Sequence, residues 1–112
     1  QGVCKQMGRP WEIGKAFERS APMGKLTPMI EVGNMEKGNI NLTVNGEVRQ
    51  NGDLDMMIWK IPEQIAHLSK FYDISAGDLI MTGTPAGVGP IVKGDKLIGK
   101  IDHLETIEII VV

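Results

Sequence analysis

The dipeptide Asn45-Gly46 closes the alternating run Ile40-Asn41-Leu42-Thr43-Val44. Apolar and polar residues trading places at period two mark a strand with one covered face. Asn-Gly directly after such a run is the strongest short-range signal for a tight hairpin. Glu47-Val48-Arg49-Gln50 then returns antiparallel. A plain two-residue hairpin sets Val48 opposite Thr43, off the face shared by Ile40, Leu42 and Val44. Either both faces are partly covered or the register is bulged.

The neighbouring segments extend this frame. Gln1 to Gly8 reads as the end of a helix, with Gly8 as C-cap and Pro10 beyond it. Ile13–Phe17 reads as a short strand or loop, Ser20–Gly24 as a turn, and Pro28–Val32 as a short strand. Asn51-Gly52 turns the chain, and Asp53 or Asp55 can cap a helix. Ile58, Ile61, Ile65, Leu68 and Phe71 recur at three- and four-residue spacing, with Lys60, Glu63, Gln64, His67 and Lys70 opposite. That pattern predicts one main amphipathic helix over about 55–72. Pro62 either kinks it or opens a restarted helix from its first turn. Leu79–Thr82 reads as a strand, Val92–Asp95 as a turn, and Lys96–Ile101 and Thr106–Val112 as the last two strands. Ile107–Val112 carries one charge in six residues, which predicts burial on both faces. The whole is α+β and mostly β.

A chain of 112 residues suits one compact domain or part of one. It starts at Gln1 without a signal-peptide pattern, and no apolar run approaches the ~18–20 residues of a membrane helix. The 12 basic and 14 acidic residues leave a net charge of −2, and the basic ones are scattered, which argues against nucleic acid as a partner. One cysteine, Cys4, excludes an internal disulfide framework and points to a reducing compartment. The expected location is therefore a reducing compartment such as the cytoplasm, with no membrane association.

Chemistry concentrates in Asp78-Leu79-Ile80-Met81-Thr82-Gly83-Thr84-Pro85-Ala86-Gly87-Val88-Gly89-Pro90. A strand ending in such a loop can aim backbone N–H groups and a hydroxyl at a small anion. Taken alone, a glycine-rich loop is more often a structural turn, and no Gly-Lys-Ser/Thr follows to make it a nucleotide loop. Lys15, between Gly14 and Ala16-Phe17, can serve as a point charge for a carboxylate or enolate; a solvent-facing lysine is the more common outcome. Asp53 and Asp55 have the spacing of a cation pair, but capping explains them better. Asp78 and Asp95 read as turn formers. His67 lies on the polar helix face and reads as solvated. Cys4 lacks a cationic partner that would make it a nucleophile. Glu105 and Glu108 fall on opposite sides of a strand. These residues amount to an α+β segment with a candidate anion-binding loop, and they do not specify a reaction.

Read as an ordered set, several segments resemble the fumarylacetoacetate hydrolase family. They are Gly8-Arg9-Pro10-Trp11, Gly14-Lys15-Ala16-Phe17 with Ser20-Ala21-Pro22, and Val44-Asn45-Gly46-Glu47-Val48-Arg49-Gln50. Met56-Met57-Ile58, Gly77-Asp78-Leu79-Ile80 and Thr82–Pro90 complete it. Order and spacing fit nearly the whole chain, and the fit is best to small members acting on acylpyruvates or oxaloacetate. The resemblance implies layered mixed β-sheets around a metal site, usually in a homodimer. It implies Mg²⁺ or Mn²⁺ held by a Glu-x-Glu pair and an Asp, none of which matches a position here. Residues 1–112 would then be the C-terminal half of a catalytic domain, completed by an N-terminal half that carries the ligands. Three site positions carry over by resemblance. Lys15 matches the lysine beside the metal and the reacting oxygens, and Gln1 and Thr84 match residues that hold the substrate. Asp102-His103-Leu104-Glu105 departs from the glycine-containing turn of many members.

The implied activity is metal-assisted hydrolysis of a carbon–carbon bond in a 2,4-dioxo acid, through the enolate of pyruvate, in the breakdown of aromatic compounds. The same site serves oxaloacetate decarboxylation or tautomerisation, or hydroxymuconate isomerisation, equally well. A non-catalytic binding module on the same framework is the third expectation.

Overall fold

In the computed structural model, which describes Gln1 to Val112, the expected hairpin is formed by β1 (Asn39–Val44) and β2 (Glu47–Asp53). Asn45 at φ 53° and Gly46 at φ 85° both occupy the left-handed region that a tight hairpin turn requires. Beyond the turn the register shifts. Thr43 pairs with Val48, but Leu42 pairs with Gln50. Arg49 is therefore an extra residue in β2, a β-bulge. Of the two alternatives that the sequence leaves open, the bulge is the one adopted. It moves Gln50 and Gly52 onto the side of Leu42 and Ile40.

β1 also pairs antiparallel with β3 (Lys96–Ile101), and β3 with β4 (Ile107–Ile110), giving one sheet in the order β2-β1-β3-β4. Paired residues share a face, so Ile40, Leu42 and Val44 stand with Leu97, Ile101, Ile107 and Ile109. The opposite face is mostly polar, with Val48, Ile98 and Ile110 also on it. There the Asn39 and Asn41 side chains both donate to Asn51 Oδ1, and Lys96 meets Glu108 at 2.8 Å. The hairpin turn is fastened to the start of β3. Asn45 Nδ2 donates to Asp95 Oδ1, and the Lys96 amide donates back to Asn45 Oδ1, each at 2.9 Å. Asp95 also accepts from the Val92 amide at 2.8 Å.

The glycine-rich loop lies along β2. Gln50 Nε2 donates to Thr84 Oγ1 at 2.8 Å and to the Pro85 carbonyl at 2.7 Å. Gly87 has φ +106°, and a Cβ there would overlap the carbonyl oxygen of bulged Arg49. Only glycine meets both demands, the positive φ and the close approach. Leu79–Thr82, expected as a strand, forms no ladder. The segment joins neither sheet edge, and Leu79 and Met81 are exposed.

Helical structure is shorter than the spacing predicts. The segment expected over 55–72 splits into a 3₁₀ turn, Leu54–Met56, and α3 (Ile61–Leu68). Asp53 caps the first by accepting from the Asp55 amide. Pro62 falls in the first turn of α3, where its missing N–H costs nothing. The face of α3 turned inward also differs. Leu68 is half-buried as expected, but so is Gln64 from the expected polar side, its Nε2 donating to the Trp59 carbonyl at 2.8 Å, and Ile58 is 94% exposed. His67 is not simply solvated: its ring meets Trp59 edge-on at 4.9 Å and Phe71 at 5.3 Å. α1 (Gly2–Gln6) ends as expected, with Gly8 N–H to Lys5 O and Arg9 N–H to Cys4 O, the double bond of a Schellman cap. Met29–Val32, expected as part of a strand, is a helical turn, α2, entered from extended Pro28 and stopped at Gly33. Glu12–Gly14 is a 3₁₀ turn, so the strand option for Ile13–Phe17 is not taken.

Val44, at 5% exposure, is the one fully buried residue. The accessible surface is 9143 Å², against about 6,000 Å² for a folded monomer of this mass. β4 is an edge strand, so the expected burial on both faces is not met: Ile110 is 63% exposed. No helix is long and apolar enough to cross a membrane.

Two outcomes are expected of the full-length protein carrying these residues. Gly87→Ala should cost about 1–3 kcal/mol of stability and raise hydrogen exchange across 84–88, whereas Gly89→Ala, with open space around it, should change stability by less than about 0.5 kcal/mol. Equal effects at both positions would refute the packing of the loop on the bulge. The second outcome concerns Asp95, whose carboxyl is held below its ordinary value of 3.8 by the Val92 amide first and the Asn45 side chain second. A depressed carboxyl stabilises the fold above its unfolded value, and that contribution is lost as pH falls through the folded value. Asp95→Asn should therefore be less stable than the parent at neutral pH. It should lose less stability than the parent between about pH 5 and pH 2, read from denaturation midpoints.

Candidate functional site

Thr84 stands on a segment with little freedom. Pro85 follows it, Gln50 grips its hydroxyl and the next carbonyl, and a Cβ placed on Gly52 would lie 3.1 Å from the Pro85 ring. Each contact originates in β2, so the sheet sets the position of the loop. Gln50 is half-buried on the face it shares with Leu42 and Ile40. An amide on an apolar face is costly without partners, and Thr84 and Pro85 are those partners. The Thr84 residue itself is exposed.

Gln1 and Lys15 come together at a different place in the chain. The Gln1 amide points at the Gly14 carbonyl at 3.5 Å, a long and weak contact. A Cβ on Gly14 would sit 2.9 Å from the Gln1 backbone nitrogen, so the start of α1 rests against the turn that carries Lys15. The Lys15 ammonium lies 6.0 Å from the Trp11 ring centroid, and the Lys5 ammonium 4.6 Å from the same ring. No carboxylate of the chain forms an ion pair with Lys15. No hydrogen bond links Thr84 to Gln1 or Lys15.

The remaining candidates resolve into structural roles. Asp53 accepts from the Asp55 and Gly38 amides, which in that order hold its carboxyl below the ordinary value. Asp78 accepts from the Ser75 amide and closes its own turn. Glu105 pairs with Lys25 at 2.8 Å, and that hydrogen bond keeps the Lys25 ammonium charged above its ordinary range. Cys4 is half-buried on α1. The departing turn holds Asp102, which accepts from the Asn39 amide at 2.7 Å, and His103 at φ 65°. No three of the His, Cys, Asp and Glu side chains converge as a metal-ligand set, so a divalent ion does not fit these residues alone.

A cavity of about 850 Å³ opens beside the loop, between the end of β2 and α3. Asp53, Met57, Trp59, His67, Ile80 and Thr84 are among the residues that line it. Gln50 is the functional candidate that sequence reasoning passed over. Its signal was present: a polar residue that a single bulge turns onto the apolar face of the hairpin.

Comparison with known proteins gives this geometry a context. Residues 3–111 match the family model described as fumarylacetoacetate (FAA) hydrolase C-terminal. A fumarylpyruvate hydrolase of a Ralstonia species is 43% identical over 99% of this chain and 57% of its own length. An oxaloacetate tautomerase of Escherichia coli (strain K12) is 47% identical over 87% of this chain and 45% of its own. The crystal structure of fumarylpyruvate hydrolase from Pseudomonas aeruginosa in complex with Mn²⁺ and pyruvate superposes on all of this chain and 48% of that one, at TM-score 0.94 and 47% identity. The chain thus spans about half the length of the relatives it matches. With a match across nearly every residue and a fold shared to that degree, the chain belongs to the fumarylacetoacetate hydrolase family.

Proposed function

We propose that these residues form the C-terminal half of a catalytic domain that hydrolyses a carbon–carbon bond in acylpyruvate-type 2,4-dioxo acids. Likeness over the full chain to an enzyme solved with Mn²⁺ and pyruvate carries this reading. The unusually large accessible surface and the exposed apolar residues of β4 and α3 support a second half of the domain packed against them. Mg²⁺ or Mn²⁺ would have its carboxylate ligands in that half, where a bound ion supplies Lewis acidity. A homodimer in the cytoplasm, or in the mitochondrion of a eukaryote, completes the proposal.

The chain's own groups have distinct tasks in it. Lys15 is proposed to hold the developing enolate oxygen of pyruvate. An ammonium offers three donors, and Lys15 has no competing carboxylate. Thr84 is proposed to donate its hydroxyl to the substrate carboxylate from a loop that is already ordered, so little entropy is lost on binding. Gln1 is proposed to orient the substrate through its amide. None of these groups is a general base for water, and that task falls outside the chain.

The likeness to oxaloacetate tautomerases favours a second reading, enolate chemistry on oxaloacetate without hydrolysis. Both readings need Lys15 at an enolate oxygen. Lys15→Ala in the full-length protein should lower kcat about 10²–10³-fold and change KM by less than about threefold; near-normal turnover would remove Lys15 from the chemistry. Assays with an acylpyruvate, oxaloacetate and a hydroxymuconate should show one substrate turned over well with Mg²⁺ or Mn²⁺ and lost in EDTA. Turnover of oxaloacetate alone would replace hydrolysis with the second reading.

A further inference from the structure

We propose that Gln50 is a positioning residue that sets the polarity of the Thr84 hydroxyl, making it an obligatory donor toward an anionic ligand. The inference rests on the reading of Thr84 as a substrate-carboxylate contact and adds a residue to it. Three facts carry it. Gln50 Nε2 lies 2.7 Å from the Pro85 carbonyl and 2.8 Å from Thr84 Oγ1. A carbonyl oxygen can only accept, so the amide must present its NH₂ group, not its oxygen, to Pro85. That NH₂ has two hydrogens, and the second goes to Thr84 Oγ1. The hydroxyl is thereby an acceptor on its inner side, and its single proton must point elsewhere.

A hydroxyl without such a partner is free to turn its proton to a neighbouring carbonyl and meet a ligand with lone pairs. Lone pairs repel a carboxylate. With Gln50 in place the proton is presented before the ligand arrives, and no reorientation is needed on binding. The bulge at Arg49 is the precondition, because it carries Gln50 to the Leu42 side of β2, where the loop lies. Gln50 is half-buried on a face otherwise made of Ile40, Leu42 and Val44. The amide therefore has few alternative partners, and its hydrogens stay where they are needed.

The test uses the full-length protein with Mn²⁺ and pyruvate as probe, with Kd measured by titration calorimetry. Gln50→Met keeps the length and removes both donors; Gln50→Glu keeps the shape and exchanges donors for acceptors. Each should weaken pyruvate about tenfold at about pH 8, as Thr84→Val should. The Gln50→Met/Thr84→Val double variant should be no weaker than Thr84→Val alone, since both changes remove one interaction. Gln50→Glu should weaken pyruvate at least as much as Gln50→Met, because its carboxylate accepts the Thr84 proton and turns it away from the ligand. A merely structural role would give additive losses, or a milder effect of the isosteric Gln50→Glu than of Gln50→Met, and either result overturns the proposal. If Thr84→Val leaves Kd unchanged, the reading of Thr84 itself fails and the proposal falls with it. If Thr84→Val weakens binding while both Gln50 variants match the parent, only the role of Gln50 is lost.

Discussion

One extra residue in β2 organises the glycine-rich loop and its contacts with the sheet. The bulge at Arg49 shifts the register between the Thr43–Val48 and Leu42–Gln50 pairs and turns every later residue of β2 to the other side. Its carbonyl projects to where Gly87 has no side chain. The residue after it, Gln50, becomes the clamp on Thr84 and Pro85. Loop and strand are thus joined at two adjacent points of the bulge. A glycine-rich segment with no ladder of its own gains a defined position from backbone geometry elsewhere.

The two groups of candidate residues differ in how they are held. Thr84 is fixed by a strand in the sheet, and its neighbours are proline and a buried-side amide. Lys15 sits on a 3₁₀ turn, its long side chain near Trp11 and otherwise free of ionic partners. This division suits the proposed chemistry. A carboxylate anchor gains from rigidity, while an ammonium on a flexible stem can follow charge as it moves between oxygens. The sheet behind them is held by backbone ladders, a polar face of interlocked asparagines, and the Asn45–Asp95 fastening.

What could be read from the sequence was what local chemistry decides. Asn45-Gly46 has one low-energy way to turn, Gly8 caps α1 through bonds to residues only a few positions away, and Asp78 and Asp95 close turns with their own near neighbours. β3 was legible as a short, largely apolar run directly after the Val92–Asp95 turn. The misreadings share another cause. Leu79–Thr82 is as apolar as a strand but joins neither edge of the sheet. The periodicity around α3 marks Ile58, Ile61, Ile65, Leu68 and Phe71 as a covered stripe, yet within this chain only Leu68 of them is half-buried, beside Gln64 from the other side. β4 carries more apolar residues than these 112 positions cover. Each depends on distant partners, which composition does not name. Of the candidate site, Lys15 and Thr84 carry over from the family resemblance, while Gln50 depends on a register that pattern alone leaves undecided.

The bulge also makes this stretch sensitive to length in a way that it is not to chemistry. Arg49 is exposed, and it is its carbonyl, not its guanidinium, that meets the loop. Many side chains would serve at that position. Losing one codon there would be another matter: Gln50 would still face Leu42, now in a regular ladder, but the strand would lose its local kink and the carbonyl to which Gly87 is fitted. A one-residue change in length would here reach the glycine-rich loop through the backbone, where a change of side chain at the same position would not.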